Sequence, residues 1–289
     1  MEASRNATFA GLLAILLWSS LALLTVATDG LPPFQVLATA FAVAALLGLV
    51  RAGVRGSAGW AELRQPVSAL ALSTGALFGY HALYFIALKR APAVEANLLN
   101  YMWPLLIVVF AGFLPGVRIR PLQWIGTVLG LAAAILLVTG GQRLTVSASH
   151  LPGYLAAITA AVIWAAYSVL NRRHAQVPSA AITVACLGVA VLGALAHLLF
   201  ETSVTPTPLQ WGALVLMGIG PTGAAFWLWD TGTKRGDIAL LGSLSYLAPL
   251  LSTVLLVVSG RVQPHPIQAV ALALLLAGAW LSTRSRRQS

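Results

Sequence analysis

Charge is what this chain has least of. Asp, Glu, Lys and Arg together make up 8% of its 289 residues and only seven of these are acidic, where a soluble domain is about one-quarter charged. With 59% hydrophobic residues and a mean hydropathy of +0.88, no water-soluble core could absorb the apolar surface, so a soluble globule is excluded. Cysteine is nearly absent as well. Cys186 stands alone in VACLGVAV, which rules out a disulfide framework and a Cys-based metal site and makes it a small apolar filler. No HExxH, no GxSxG and no pair of acids inside an apolar run occurs, so an intramembrane enzyme has no machinery to work with. A channel would need a repeated filter segment or a ring-forming charge motif, and neither is present. Neither a cofactor nor a metal is expected. The net charge of +10 does not point to nucleic acid, because its Lys and Arg sit singly or in pairs between apolar runs instead of along one face. A lipid bilayer is the fitting partner.

What the chain has in abundance is apolar runs of bilayer length. Ten are expected: Thr8 to Thr28, Phe34 to Val50, Ala69 to Leu88, Val94 to Leu114, Leu122 to Thr139, Gly153 to Leu170, Ala180 to Phe200, Leu209 to Trp229, Ile238 to Val258 and Ile267 to Leu281. The first follows Arg5 but is too long for a signal h-region and lacks a small-residue cleavage site, so it reads as a retained helix. The longest linkers, Arg51 to Pro66, Gly140 to Pro152 and Glu201 to Pro208, are too short to fold independently.

The runs are duplicated. Lys89 to Leu106, KRAPAVEANLLNYMWPLL, recurs as Lys234 to Leu251, KRGDIALLGSLSYLAPLL, with Lys, Arg, Tyr, Pro and a Leu pair in one register, and the same offset carries Pro121 and Gln123 onto Pro266 and Gln268. Duplicated spans are the common sign of a secondary transporter with its site at the repeat interface. Each copy holds five spans, an odd number, so the second crosses the membrane in the reverse sense. The expected fold is an all-α membrane protein of ten transmembrane helices in two inverted five-helix repeats, residues 1–143 and 151–283, with a cytoplasmic basic tail at 284–289. Ten spans return both termini to one side. That side carries Arg5, Arg51, Arg55, Arg64, Arg118, Arg120, Arg172, Arg173, Lys234, Arg235, Arg284, Arg286 and Arg287, against Lys89, Arg90, Arg143 and Arg261 opposite. The positive-inside rule then makes both termini cytoplasmic.

Polar rings mark the candidate site. The third run places Tyr80 and Tyr84 one turn apart with His81 beside them, and the fourth places Asn97, Asn100 and Tyr101 at helical spacing before Trp103 and Pro104. Unpaired hydroxyl, amide and indole groups are costly in lipid, so they should face the bundle interior and form a cavity with ring faces and a few hydrogen-bonding groups. Trp164 matches Trp18 in the first run of each half, and Tyr246 matches Tyr101. The substrate-cavity set is therefore Tyr80, His81, Tyr84, Asn97, Tyr101, Trp103, Trp164 and Tyr246. The alternative use of such groups is interhelical hydrogen bonding, and Trp60, Trp124, Trp211 and Trp280 read as interfacial belt residues. His81 is either a proton relay or a neutral hydrogen-bonded ring. Lys89, Arg90, Lys234 and Arg235 read as headgroup anchors or entrance charges. Pro104 and Pro249, paired by the repeat, are the hinge candidates, while GxxxG at Gly75 and Gly79 and at Gly126 and Gly130 allows close helix approach.

Ten short spans in two inverted repeats resemble the drug/metabolite transporter superfamily, EamA type, along nearly the whole chain. Within it, YHALYFIALKRAPAVEANLLNYMWPLLIVV is similar to the aromatic amino acid exporter branch of bacterial inner membranes. The resemblance implies a multi-pass, monomeric inner-membrane exporter of amino acids, aromatic ones favoured, working by alternating access without cofactor or nucleic acid. Export of nucleosides, sugars or toxic amphipathic compounds on the same fold is the alternative it leaves open.

Overall fold

The computed structural model describes residues 2–142 and 147–284. Arg143, which closes the first expected repeat, and residues 285–289 of the expected tail lie outside the described residues. Among the described residues the regular structure is helical throughout, with ten helices long and apolar enough to cross a membrane. In order they are Glu2–Ala27, Pro33–Val54, Val67–Arg90, Ala93–Ala111, Pro121–Thr139, Ala148–His174, Ser179–Phe200, Pro208–Arg235, Ile238–Val258 and Pro266–Thr283. Local chemistry sets many of the ends. Pro33, Pro121 and Pro208 open helices in the first turn, where their missing N–H would be unbonded anyway. Thr207 caps the eighth span by accepting from Gln210 N while Gln210 Oε1 accepts from Thr207 N. The fifth span stops at Gly140, whose φ of 58° suits a left-handed C-terminal turn.

The helices pack as the duplication requires. The main partners are fifth with tenth, second with seventh, third with sixth, and first with eighth. Exchanging the two repeats maps the first two pairs onto themselves and turns the third into the fourth, which is the packing of two inverted copies about a dyad in the membrane plane. The fifth and tenth spans approach so closely that a Cβ on Gly126 would strike the Gly278 carbonyl and the Ser282 hydroxyl. Gly75 has nothing within 4 Å of such a Cβ, and Gly79 would meet only Ile163 Cδ1 at 3.8 Å, so only the second GxxxG pattern brings two backbones into close contact.

Both repeat prolines coincide with breaks. The fourth span divides into Ala93–Asn100 and Trp103–Ala111, and the ninth into Ile238–Leu244 and Leu247–Val258. A proline removes the bond to the carbonyl four residues earlier and crowds it, which for Pro104 and Pro249 means Asn100 and Ser245, the sites of the two breaks. The eighth span widens into a π turn over Gly220–Ala224. Its Pro221 carbonyl accepts from Trp18 Nε1 at 3.0 Å, and Thr222 Oγ1 donates to Met217 O at 2.9 Å, so side chains satisfy the irregular backbone as the lipid interior demands.

Two expectations are corrected here. The eighth span does not end at Trp229 but continues to Arg235, because Asp230 and Lys234, one turn apart, neutralise each other at 2.9 Å. Lys234 is accordingly neither a headgroup anchor nor an entrance charge: it is buried, and its Nζ also donates to Val177 O at 3.1 Å. Its repeat mate Lys89, with Arg90, is exposed. Trp60, Trp124, Trp211 and Trp280 are all exposed, as belt residues are.

Candidate functional site

The ring cluster is assembled from both halves of the chain. Tyr80, His81 and Tyr84 come from the third span, Asn97 and Trp103 from either side of the break in the fourth, and Trp164 from the sixth. Tyr80 and Tyr84 stack at 6.1 Å with their planes 10° apart, and Tyr80 lies 5.5 Å from Trp164. The Tyr84 hydroxyl donates to Asn97 Oδ1, and Asn100 Nδ2 donates to the Tyr80 hydroxyl at 3.1 Å. Tyr101 sits at the break itself, half-buried and next in the chain to Asn100. Asn100 Oδ1 is buried and has no hydrogen-bond partner among the described residues.

Beneath these half-buried polar rings lies a closed floor of indoles. Trp18 packs against Trp164 at 5.6 Å, Trp229 at 5.1 Å and Trp103 at 6.4 Å, and Trp164 stacks on Trp229 at 6.3 Å. Trp103, Trp164, Tyr167 and Trp229 are buried, and Phe226 joins them. Edge-to-face and offset contacts of this kind contribute about 0.5–1.5 kcal/mol per pair beyond area burial, so the floor is a stiff element.

His81 turns away from the polar groups. Its Nδ1 lies 2.7 Å from Leu77 O, and its ring meets Phe41, Phe85, Phe226 and Tyr80. A carbonyl oxygen only accepts, so Nδ1 carries the proton. Tyr246 is set apart from the other seven candidates. It is fully buried with Ala133, Leu250, Ala271 and Leu275 between the fifth, ninth and tenth spans, in a notch left by Gly130.

Tyr167 and Phe226 carry no sequence signal that singles them out, and Trp18 and Trp229, tryptophans that do not fit the interfacial belt, lie outside the expected cavity set. Trp18 had a usable signal in its repeat match to Trp164. Trp229 ends the apolar run but not the helix, which continues to Arg235 and leaves Trp229 buried. Two acids are buried as well. Asp230, 1% exposed, is held by Lys234 and by Asn171 Nδ2 at 2.7 Å, and Glu95, buried in the first turn of the fourth span, accepts from the Tyr154 hydroxyl. Among the described residues no group of three or more His, Cys, Asp or Glu could hold a metal ion.

The EamA-like transporter family model matches residues 5–139 and again 151–284. The chain belongs to this family. Among its relatives is the aromatic amino acid exporter YddG of Ancylobacter novellus, 48% identical over 286 residues, covering 98% of this chain and 99% of that protein. The aromatic amino acid exporter YddG of Escherichia coli is 28% identical, with 87% of each chain covered. A solved crystal structure at 48% identity superposes with a TM-score of 0.93 over 98% of each chain. Family membership at this coverage makes the chain a multi-pass membrane transporter whose two family matches are its two halves.

Proposed function

We propose that the chain exports amino acids, aromatic ones favoured and others tolerated, across a bacterial inner membrane as a monomer with both termini cytoplasmic. The observation that carries this reading is the ring site at the seam of the repeats: Tyr80, Tyr84 and Tyr101 offer stacking faces, and Asn97 and Asn100 supply neutral polar groups above a floor of indoles. The unpartnered Asn100 Oδ1 is an acceptor for a substrate ammonium, and neutral groups bind weakly enough for release. The match to a protein named as an aromatic amino acid exporter supports the same substrate class.

The mechanism is alternating access about this site. The end of the bundle bearing the termini is sealed: Asp237 N donates to Thr8 Oγ1 at 2.9 Å, Arg172 bonds the Thr233 and Gly236 carbonyls, and all seven residues of Ile238–Leu244 are buried. The other end is also tied across the halves, where the Glu201 carboxylate accepts from Phe34 N and Gln35 N and Gln210 Nε2 donates to Asp29 O at 2.9 Å. The conformation is therefore read as closed toward the termini, with Pro104 and Pro249 as hinges.

Counterflow in proteoliposomes tests the proposal, using a panel of amino acids, nucleosides and sugars with and without a pH gradient. Preferential exchange of Phe, Tyr and Trp is expected. Exchange no greater than in empty liposomes for every amino acid, with nucleosides or sugars exchanging instead, would move the protein to the alternative substrate class.

A further inference from the structure

The terminal end of the bundle holds a groove of about 370 Å³ that the ring site does not include. Ser4, Val117, Arg118 and Arg120 line it from the first half, Arg172 and Asp237 from the second, so it lies across the seam between the repeats. Its volume is that of a small-ligand pocket, and its lining counts three arginines against one aspartate, whose Oδ1 accepts from Leu240 N at 3.0 Å. Arg172 is fixed in the wall, its NH1 donating to Thr233 O at 2.8 Å and Gly236 O at 3.0 Å. Arg120, also in the lining, is anchored at its backbone, where its N–H donates to Gln123 Oε1 at 2.9 Å. The floor residue Ile238 belongs to the same packed cluster as Trp103, Trp164 and Trp229. The groove thus stops at the plug that closes the ring site from this side.

The positive-inside rule alone puts arginines on this face, but it does not gather them in a concavity at the seam. The ring site meets a zwitterion with neutral groups only, so the strongest counterpart for a substrate carboxylate lies here. Guanidinium binds carboxylate bidentately, and low-dielectric walls focus its field into the cleft. We propose that this groove collects amino-acid substrates by their carboxylate on the loading side, before the Thr8 to Asp237 contact opens. The proposal rests on the amino-acid reading above.

The test uses the Ser4→Cys protein in phosphatidylcholine nanodiscs, where the buried Cys186 stays unreactive. An anionic thiosulfonate should modify the new thiol faster than a cationic one, and Arg118→Gln with Arg120→Gln should lower that ratio by about tenfold, whereas the Lys pair preserves it. L-phenylalanine should slow the modification and L-phenylalaninamide, which lacks the carboxylate, should not. An unchanged ratio in the Gln pair, or equal protection by both compounds, overturns the proposal. So does protection that disappears when phosphatidylglycerol is added, which would assign the groove to lipid headgroups. Phenylalanine counterflow measured on the same protein separates the two readings: protection without counterflow sinks the export reading and leaves the groove, and counterflow without protection does the reverse.

Discussion

Tyr101 and Tyr246 stand at the same point of the repeat, each on the break three residues before a proline. Tyr101 is half-buried, whereas Tyr246 is fully enclosed between the fifth and tenth spans. Lys89 and Lys234 diverge in the same way, one exposed and the other locked to a buried carboxylate. Equivalent backbones therefore carry inequivalent side-chain surroundings, and in both pairs the buried member, Tyr246 or Lys234, belongs to the second repeat. In an alternating-access cycle built from inverted copies, the second state is reached when the copies trade these surroundings.

The comparison breaks most sharply at the lysines. Asp230→Ala should destabilise the protein by about 3–5 kcal/mol in reversible unfolding in detergent, because it strands a buried ammonium; Lys89→Met should cost under about 0.5 kcal/mol. If the two substitutions cost the same, the two lysines are not differently held. At the tyrosines, Tyr246→Ala should cost about 3 kcal/mol of stability through cavity formation and Tyr101→Ala about 1 kcal/mol, while phenylalanine counterflow falls more in Tyr101→Ala. A reversed rank for transport would place the substrate against the ninth span. Among the glycines, Gly126→Ala should lose about 1–3 kcal/mol by overpacking against Gly278, and Gly75→Ala should stay within about 0.5 kcal/mol of the parent; melting temperatures in one detergent decide it. The smallest effect is expected at His81. Its Nδ1 is engaged by the Leu77 carbonyl and among the described residues no acid hydrogen-bonds the ring, so His81→Gln should leave the shape of the pH profile of transport unchanged between about pH 6 and 8. A profile flattened by that substitution would restore His81 as a relay.

Much of the architecture was legible before any coordinates. Apolar runs of bilayer length identify spans because lipid cannot bond free backbone, and an odd number of spans per copy dictates inversion. The prolines located the two breaks, since the disrupted bond lies a fixed four residues upstream. The less legible parts depended on three-dimensional neighbours. The eighth span outran its apolar run because two opposite charges cancel inside it, which hydropathy scores as a helix end. The Tyr246 ring went to the Gly130 notch although its repeat mate Tyr101 did not, and no local pattern distinguishes them.

The residues alone determined a ten-span, duplicated and inverted bundle with its breaks and its stock of polar rings, because chain length against bilayer thickness and proline's missing donor act locally. Which rings meet and which lysine is buried were decided only by tertiary packing. Those outcomes depend on contacts between residues far apart in the chain, such as Thr8 with Asp237 and Trp18 with Pro221, and one repeated sequence can satisfy such contacts in two different ways.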